Sequence, residues 1–113
     1  LANGETVRYI GIDAPEVRPS ECYQQQASAK NQELVENKYV TLESDVRDRD
    51  RYGRLLRYVY IDEKMVNEIL VAEGYALAAS YPPDVKYQER LQAAQTIAQS
   101  NNLGLWSACE INR

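Results

Sequence analysis

The chain has 113 residues, of which 44% are hydrophobic and 27% are charged, a composition typical of one small globular domain. It contains no histidine, which excludes Ser–His and Cys–His nucleophilic catalysis and imidazole metal sites within the chain. The formal net charge of −4 opposes binding to nucleic acid, so a polyanion would need a local basic patch. No apolar stretch approaches the ~20 residues of a membrane span.

Local patterns predict strands and helices in alternation. Strands are expected over residues 5–12, 39–42, 54–61 and 75–79, where β-branched and aromatic residues recur. Helices are expected over residues 24–37, 65–73 and 87–100, and Gly74 is expected to cap the second. The apolar face of the third helix is predicted from residues at helical spacing, Tyr87, Leu91, Ala94 and Ala98. The alternation lacks the regular βαβ units of a doubly wound sheet, so it indicates an α+β domain with a curved antiparallel sheet.

The first candidate site lies at the end of the first predicted strand. Asp13 and Glu16 flank an Ala-Pro turn, and Arg8 precedes them on the strand. Carboxylate oxygens suit Ca²⁺ or Mg²⁺, and a guanidinium suits a phosphate. Strict alternation puts Arg8 and Asp13 on opposite faces of the strand, so the turn or strand curvature must bring them together. The alternative interpretation is a solvated polar turn.

The second candidate site is the charged loop of residues 45–54. Its acidic residues resemble the start of an EF-hand loop, but the closing glutamate of that template is missing. The functional interpretation is that Arg51 and Arg54 bind a phosphate and that Tyr52 lies beside a nucleotide. The alternative is a solvated hairpin loop whose charges pair with each other. Tyr81 is a further candidate for stacking on a base.

Cys22 and Cys109 lie near opposite ends of the chain. Two cysteines without histidine cannot complete a zinc site, so two buried thiols or one disulfide remain. We favour the disulfide, which would stabilise the fold by about 4–5 kcal/mol in the chain-entropy model. It would also imply an oxidising, extracytoplasmic compartment.

From about residue 6 to residue 106, these segments resemble the staphylococcal nuclease (thermonuclease) family in their order and spacing. The shared motifs are Arg-strand-Asp-x-Pro-Glu at residues 8–16, Asp-x-Tyr-Gly-Arg at 50–54, Lys-Met-Val-Asn-Glu at 64–68 and Leu-Trp-Ser at 105–107. The resemblance implies an OB-fold barrel of five strands with three helices, in one mainly β, α+β domain over residues 1–113. The family's first strands and one further metal ligand would precede Leu1, so we expect them to be missing. The edge left exposed would allow a strand-exchanged or edge-paired homodimer.

The resemblance also implies a Ca²⁺-dependent phosphodiesterase, an endo- and exonuclease that acts on DNA and RNA outside a bacterial cell or in its envelope. Position by position, it assigns catalytic roles to Arg8, Glu16 and Arg54, calcium binding to Asp13 and the Ala14 carbonyl, and nucleotide binding to Arg51, Tyr52 and Tyr81. Glu16 would act as general base or orient the attacking water. The alternative function is a catalytically inactive nuclease-like module that binds nucleic acid or protein. The presence of the family's acids and arginines favours the enzyme.

Overall fold

A computed structural model describes residues 1, 3–13, 17–18 and 22–111. In these residues the elements are β1 (Val7–Tyr9), β2 (Ile12–Asp13), β3 (Val17–Arg18), α1 (Gln24–Val35), β4 (Thr41–Glu43), β5 (Leu55–Ile61), β6 (Lys64–Met65), α2 (Val66–Ala72), β7 (Leu77–Ala78), α3 (Gln88–Ser100), α4 (Leu105–Ala108) and β8 (Glu110–Ile111). The expected α+β class is confirmed. Ala14 and Glu16 lie outside the described residues. None of the helices in the described ranges is long and apolar enough to cross a membrane.

Strand β5 is the centre of the main sheet. It pairs antiparallel with β4 and β6 and parallel with β1, with Val7 opposite Leu55. The predicted antiparallel sheet is therefore wrong for β1. Parallel pairing requires a long connection between the two strands, and the chain between β1 and β5, which includes α1 and β4, is long enough to provide it. Strands β2 and β7, and likewise β3 and β8, form separate antiparallel pairs. Across the described ranges the strands do not close into a barrel, and the one-turn α4 adds to the three expected helices.

The chain turns at Gly11, which corrects the single strand predicted over residues 5–12. Gly11 has φ +80°, in the left-handed region that favours glycine. A Cβ at this position would lie 2.4 Å from Cδ1 of Leu91 on α3. Glycine therefore permits both the turn and the close approach of α3, and the chain passes from the main sheet to the β2–β7 pair.

The core lies between β5, α2 and α3. Its largest fully buried side chains on these elements are Tyr58, Val66, Val71 and Leu91. The predicted apolar face of α3 is confirmed, because Leu91, Ala94 and Ala98 are buried.

The predicted helix stop at Gly74 is also confirmed. Gly74 has φ +82°, and its N–H donates to the carbonyl of Val71 at 3.1 Å. The N–H of Tyr75 donates to the carbonyl of Leu70 at 2.7 Å. These bonds satisfy carbonyls at the end of α2 that the helix itself leaves unpaired.

Cys22 and Cys109 are joined by a disulfide that spans 87 residues, with their Cα atoms 6.0 Å apart. The bond links the residues just before α1 to those just after α4. The β3–β8 pair joins the neighbouring segments.

The buried Asn67 side chain ties α2 to the turn that leads to the first candidate site. Its Oδ1 accepts the N–H of Val59 at 2.9 Å, and its Nδ2 donates to the carbonyl of Ile10 at 2.8 Å. We expect Asn67→Ala to lower the free energy of unfolding by about 2–4 kcal/mol, because it leaves two buried backbone groups unpaired. Urea denaturation measures the loss, with the exposed Asn101→Ala as control. A loss below about 1 kcal/mol would contradict this role.

Candidate active site

The first candidate site is a cluster of Arg8, Asp13 and Tyr81. The hydroxyl of Tyr81 donates to Oδ2 of Asp13 at 2.7 Å, and Nη2 of Arg8 lies 3.6 Å from Oδ1 of the same carboxylate. The guanidinium carbon of Arg8 is 5.7 Å from the centre of the Tyr81 ring. Burial, followed by the hydrogen bond to Asp13, raises the pKa of Tyr81, so its phenol remains a donor at neutral pH. The turn at Gly11 thus brings Arg8 and Asp13 together, as the sequence analysis required.

The potential metal ligand in this cluster is the half-exposed carboxylate of Asp13. Its hard oxygens have the chemistry that Ca²⁺ prefers, but Ca²⁺ takes about 6–8 oxygen ligands. Within the described residues no group of three or more acidic, cysteine or histidine side chains could hold a metal ion. The donor type therefore fits calcium, and further ligands would have to come from backbone carbonyls, water, substrate or residues outside the described ranges. The Ala14 carbonyl assigned by the resemblance and the Glu16 carboxylate are among the latter.

In the second candidate site, Asp50 fixes the loop of residues 45–54. Its Oδ1 accepts the backbone N–H groups of Tyr52 and Arg54, each at 2.9 Å, and its Oδ2 accepts Nε–H of Arg54 at 2.6 Å. Burial opposes the ionised form, but the hydrogen bonds from Arg54 and Tyr52 outweigh it and lower the pKa of Asp50. Asp50 therefore stays ionised at neutral pH and orients Arg54 through the Nε edge of its guanidinium.

The exposed ring of Tyr52 lies against two arginines. The guanidinium carbons of Arg51 and Arg54 are 4.9 Å and 5.5 Å from the ring centre. Nη2 of Arg51 also donates to the Tyr52 hydroxyl at 2.8 Å. The contacts that hold the ring thus come from residues of the same loop, and 69% of the Tyr52 surface remains exposed to solvent. An exposed aromatic face of this kind suits stacking on a base.

Arg8 and Tyr81 of the first candidate site line one pocket of about 410 Å³ together with residues of the second, and Asp13 lies beside Arg8 outside its lining. Its charged and aromatic walls are formed by the arginines Arg8, Arg47, Arg51 and Arg54, the tyrosines Tyr9, Tyr52 and Tyr81, and the aspartates Asp50 and Asp84. In the described residues the arginines of the pocket outnumber its aspartates two to one, whereas the whole chain has a net charge of −4. The pocket is therefore the local basic patch that a polyanion would need.

Arg47 and Asp84 also line the pocket, although neither belongs to a motif that the sequence indicates. Asp84 is only 1% exposed, and its Oδ1 accepts the backbone N–H groups of Val46 and Arg47 at 3.0 Å and 2.9 Å. Its Oδ2 accepts Nε–H of Arg47. Asp84 follows two prolines, and such a segment indicates only a break between predicted elements. Nothing local in the sequence indicates that it pairs with a residue 37 positions earlier.

The pKa of Asp84 predicts how stability depends on pH. Burial opposes ionisation, but the hydrogen bonds from Arg47 and Val46 outweigh it and lower the pKa below the usual value. The ionised carboxylate therefore stabilises the fold above about pH 4, the unfolded pKa, and this contribution is lost as pH falls through the folded pKa. We expect Asp84→Asn to cost about 1–3 kcal/mol at pH 7 and progressively less below pH 4. Urea denaturation at pH 7 and pH 3 tests this, and an equal loss at both would contradict it.

Comparison with known proteins supplies the family. The family model described as staphylococcal nuclease homologue matches residues 6–108. The chain is 45% identical over 111 residues to the SPbeta prophage-derived endonuclease YokF of Bacillus subtilis, covering 93% of this chain and 38% of that protein. It is 44% identical over 109 residues to the endonuclease YncB of the same organism, covering 91% of this chain and 52% of YncB.

A third relative is the thermonuclease of Staphylococcus hyicus, 41% identical over 107 residues. That match covers 91% of this chain and 63% of the thermonuclease. The chain thus spans less than two thirds of the length of each of these relatives. The family model nevertheless covers most of the chain, and the chain belongs to the staphylococcal nuclease family.

Proposed function

We propose that the pocket of about 410 Å³ binds a nucleic-acid strand and that the chain hydrolyses its phosphodiester bonds. The observation that carries the proposal is the meeting of four arginines and three tyrosines at one pocket in a chain whose net charge is negative. Phosphate contacts supply most of the affinity of proteins for nucleic acids. The relatives named endonuclease and thermonuclease support hydrolysis rather than binding alone.

Arg8 and Arg54 are proposed to bind the scissile phosphate and to stabilise charge in the transition state. Arg54 is oriented through its Nε by Asp50, and among the residues that the structure describes its terminal nitrogens make no hydrogen bond, so they can bind a ligand. Arg8 is oriented by the carbonyl of Tyr9 at 2.7 Å and by Asp13 at 3.6 Å. Because both side chains are oriented before a ligand binds, little reorganisation is needed, which is what makes such charges effective in catalysis.

Tyr52, Tyr81 and Arg51 are proposed to hold the nucleotide. The exposed Tyr52 ring offers a stacking face, and Arg51 fixes its hydroxyl at 2.8 Å. Stacking and phosphate contacts do not depend on the sugar, so we propose that both DNA and RNA are substrates. Single strands are favoured because their bases are free to stack.

Calcium is the proposed cofactor, with Asp13 and the Ala14 carbonyl among its ligands, as the family resemblance implies. When bound, it would polarise the phosphate and assist deprotonation of water. Glu16 is proposed as the general base or as the group that orients the attacking water. In a chain without histidine, a carboxylate in this role is chemically sufficient.

The Cys22–Cys109 disulfide supports an oxidising compartment, and we propose that the protein acts outside the bacterial cell or in its envelope. Mass spectrometry of protein isolated under thiol-trapping conditions would test this. Two trapped thiols in the native protein would overturn it.

Cleavage of fluorescently labelled single-stranded DNA and RNA by the full chain tests the function. We expect cleavage with Ca²⁺, none with EGTA, and none by Glu16→Gln with Ca²⁺. Calorimetry gives an independent readout, because Asp13→Asn should weaken Ca²⁺ binding even where no cleavage is measured. Tight oligonucleotide binding with no cleavage under any of these conditions would overturn the catalytic proposal in favour of an inactive binding module.

A further inference from the structure

Arg47 is held in the same way as Arg54, although only Arg54 belongs to a motif of the sequence analysis. In each case an aspartate accepts two backbone N–H groups with Oδ1 and the arginine Nε–H with Oδ2. Asp50 holds Arg54 from within its own loop, whereas Asp84 holds Arg47 from the segment that follows Tyr81. Both arginines line the same pocket, although the aspartates that hold them belong to different segments of the chain.

This arrangement leaves the terminal nitrogens of both guanidiniums available. Within the part of the chain that the structure describes, Arg47 and Arg54 donate through backbone N–H and Nε only. The side chains are 47% and 39% exposed, respectively. A guanidinium bound through Nε can still offer its pair of Nη groups to two oxygens of one phosphate.

The surface beside Arg47 suits a base. Val46 donates its backbone N–H to Asp84, and Val85 follows Asp84 in the chain, so both lie next to the Arg47–Asp84 pair. Both side chains are exposed. An exposed apolar surface beside a cation matches a nucleotide unit, with a flat base next to a charged phosphate.

We propose that Arg47 binds the phosphate of a neighbouring nucleotide in a single-stranded substrate, adjacent to the phosphate bound by Arg8 and Arg54. The proposal rests on the proposed function of the pocket and extends it by one subsite. It makes Arg47 a binding residue that recognises substrates longer than a dinucleotide. A purely structural Arg47, which only neutralises buried Asp84, would not distinguish substrates by length.

Binding of dithymidylate and hexathymidylate to the full chain tests the proposal, in the Glu16→Gln background with Ca²⁺ to prevent cleavage. We expect Arg47→Gln to raise the Kd of hexathymidylate about tenfold and to leave that of dithymidylate within about twofold. The slope of log K against log salt for hexathymidylate should fall by about 0.7, the effect of one lost phosphate contact on a single strand.

Arg90→Gln is the matched control. Arg90 is 45% exposed and donates Nε–H to Glu68 at 2.7 Å, but it does not line the pocket. Its substitution should change neither Kd. The proposal would be overturned if Arg47→Gln raised the Kd of both oligonucleotides equally or raised neither. It would also be overturned if Arg90→Gln raised the Kd of hexathymidylate as much as Arg47→Gln does. If the chain with Arg47 intact bound neither ligand, the proposed function itself would fail.

A footprint on the chain with Arg47 intact keeps the proposal testable if Arg47→Gln does not fold. Phenylglyoxal modifies exposed arginines, and mass spectrometry locates the modified residues. We expect hexathymidylate to protect both Arg47 and Arg54, and dithymidylate to protect Arg54 but not Arg47. Modification of Arg47 at an unchanged rate under saturating hexathymidylate would overturn the proposal.

Discussion

Replacing Arg54 with glutamine is expected to lower kcat for single-stranded DNA by about 10²–10³-fold, the effect of removing one oriented donor from a transition-state site. The fold should be retained, because Asp50 keeps its two backbone N–H donors at 2.9 Å. The lost ion pair is partly exposed and costs about 1 kcal/mol or less. Steady-state kinetics and thermal denaturation of the same preparation measure both effects.

Arg49→Gln is the control for this substitution. Arg49 lies in the same loop and donates from Nη1 to Glu5 and to the carbonyl of Gly53, each at 2.8 Å. It does not line the pocket, so its loss should leave kcat within about twofold. If Arg54→Gln retained parental turnover, or if Arg49→Gln lost as much, the assignment of Arg54 to the scissile phosphate would be wrong.

The second large effect is expected at Gly74, where an alanine should destabilise the fold by about 3 kcal/mol or more. A Cβ there would lie 2.3 Å from the carbonyl oxygen of Leu103, and no rotamer change can relieve a collision with backbone. The residue also has φ +82°, which itself costs a non-glycine residue about 1 kcal/mol or more. The melting temperature should fall by about 12 °C or more.

Gly53→Ala separates these two causes. Gly53 has nearly the same φ, +81°, but nothing lies within 4 Å of its would-be Cβ. This variant should therefore lose only the conformational part, about 1 kcal/mol. If Gly74→Ala and Gly53→Ala lowered the free energy of unfolding equally, the collision with Leu103 would contribute nothing to the destabilisation.

Sequence reasoning succeeded where the signal was local. The spacing of Leu91, Ala94 and Ala98 predicted α3, because a helix repeats its apolar face within a few residues. The stop at Gly74 was predicted for the same kind of reason, since glycine is the residue that adopts the left-handed conformation after a helix.

Prediction from the sequence failed where contacts between distant residues determine the structure. The predicted strand over residues 5–12 is divided at Gly11 because its two halves pair with different partners, β5 and β7. The parallel pairing of β1 with β5 joins segments that are far apart in the sequence, and the residue pattern of neither strand indicates its partner. A strand pattern reports what a segment buries, not which strand lies beside it.

In the candidate site, too, residues in local motifs were predicted and a residue placed by a long-range contact was not. Arg8, Asp13 and Arg54 were named from motifs, and the structure lines one pocket with Arg8 and Arg54 and places Asp13 beside Arg8. Arg47 was missed because its position at the pocket depends on Asp84, which is distant in sequence and follows two prolines. An aspartate in a turn is so common that only the structure distinguishes this buried carboxylate from a solvated one.

The central claim is that this pocket is the nucleic-acid site, and NMR of arginine Nε–Hε groups during titration with single-stranded DNA tests it most directly. The readout does not require cleavage, so it locates the site independently of catalysis. We predict that signals of Arg8, Arg51 and Arg54 shift with saturable dependence on DNA, whereas those of Arg49 and Arg90 do not. Shifts confined to arginines outside the pocket, or no shift at all, would contradict the account.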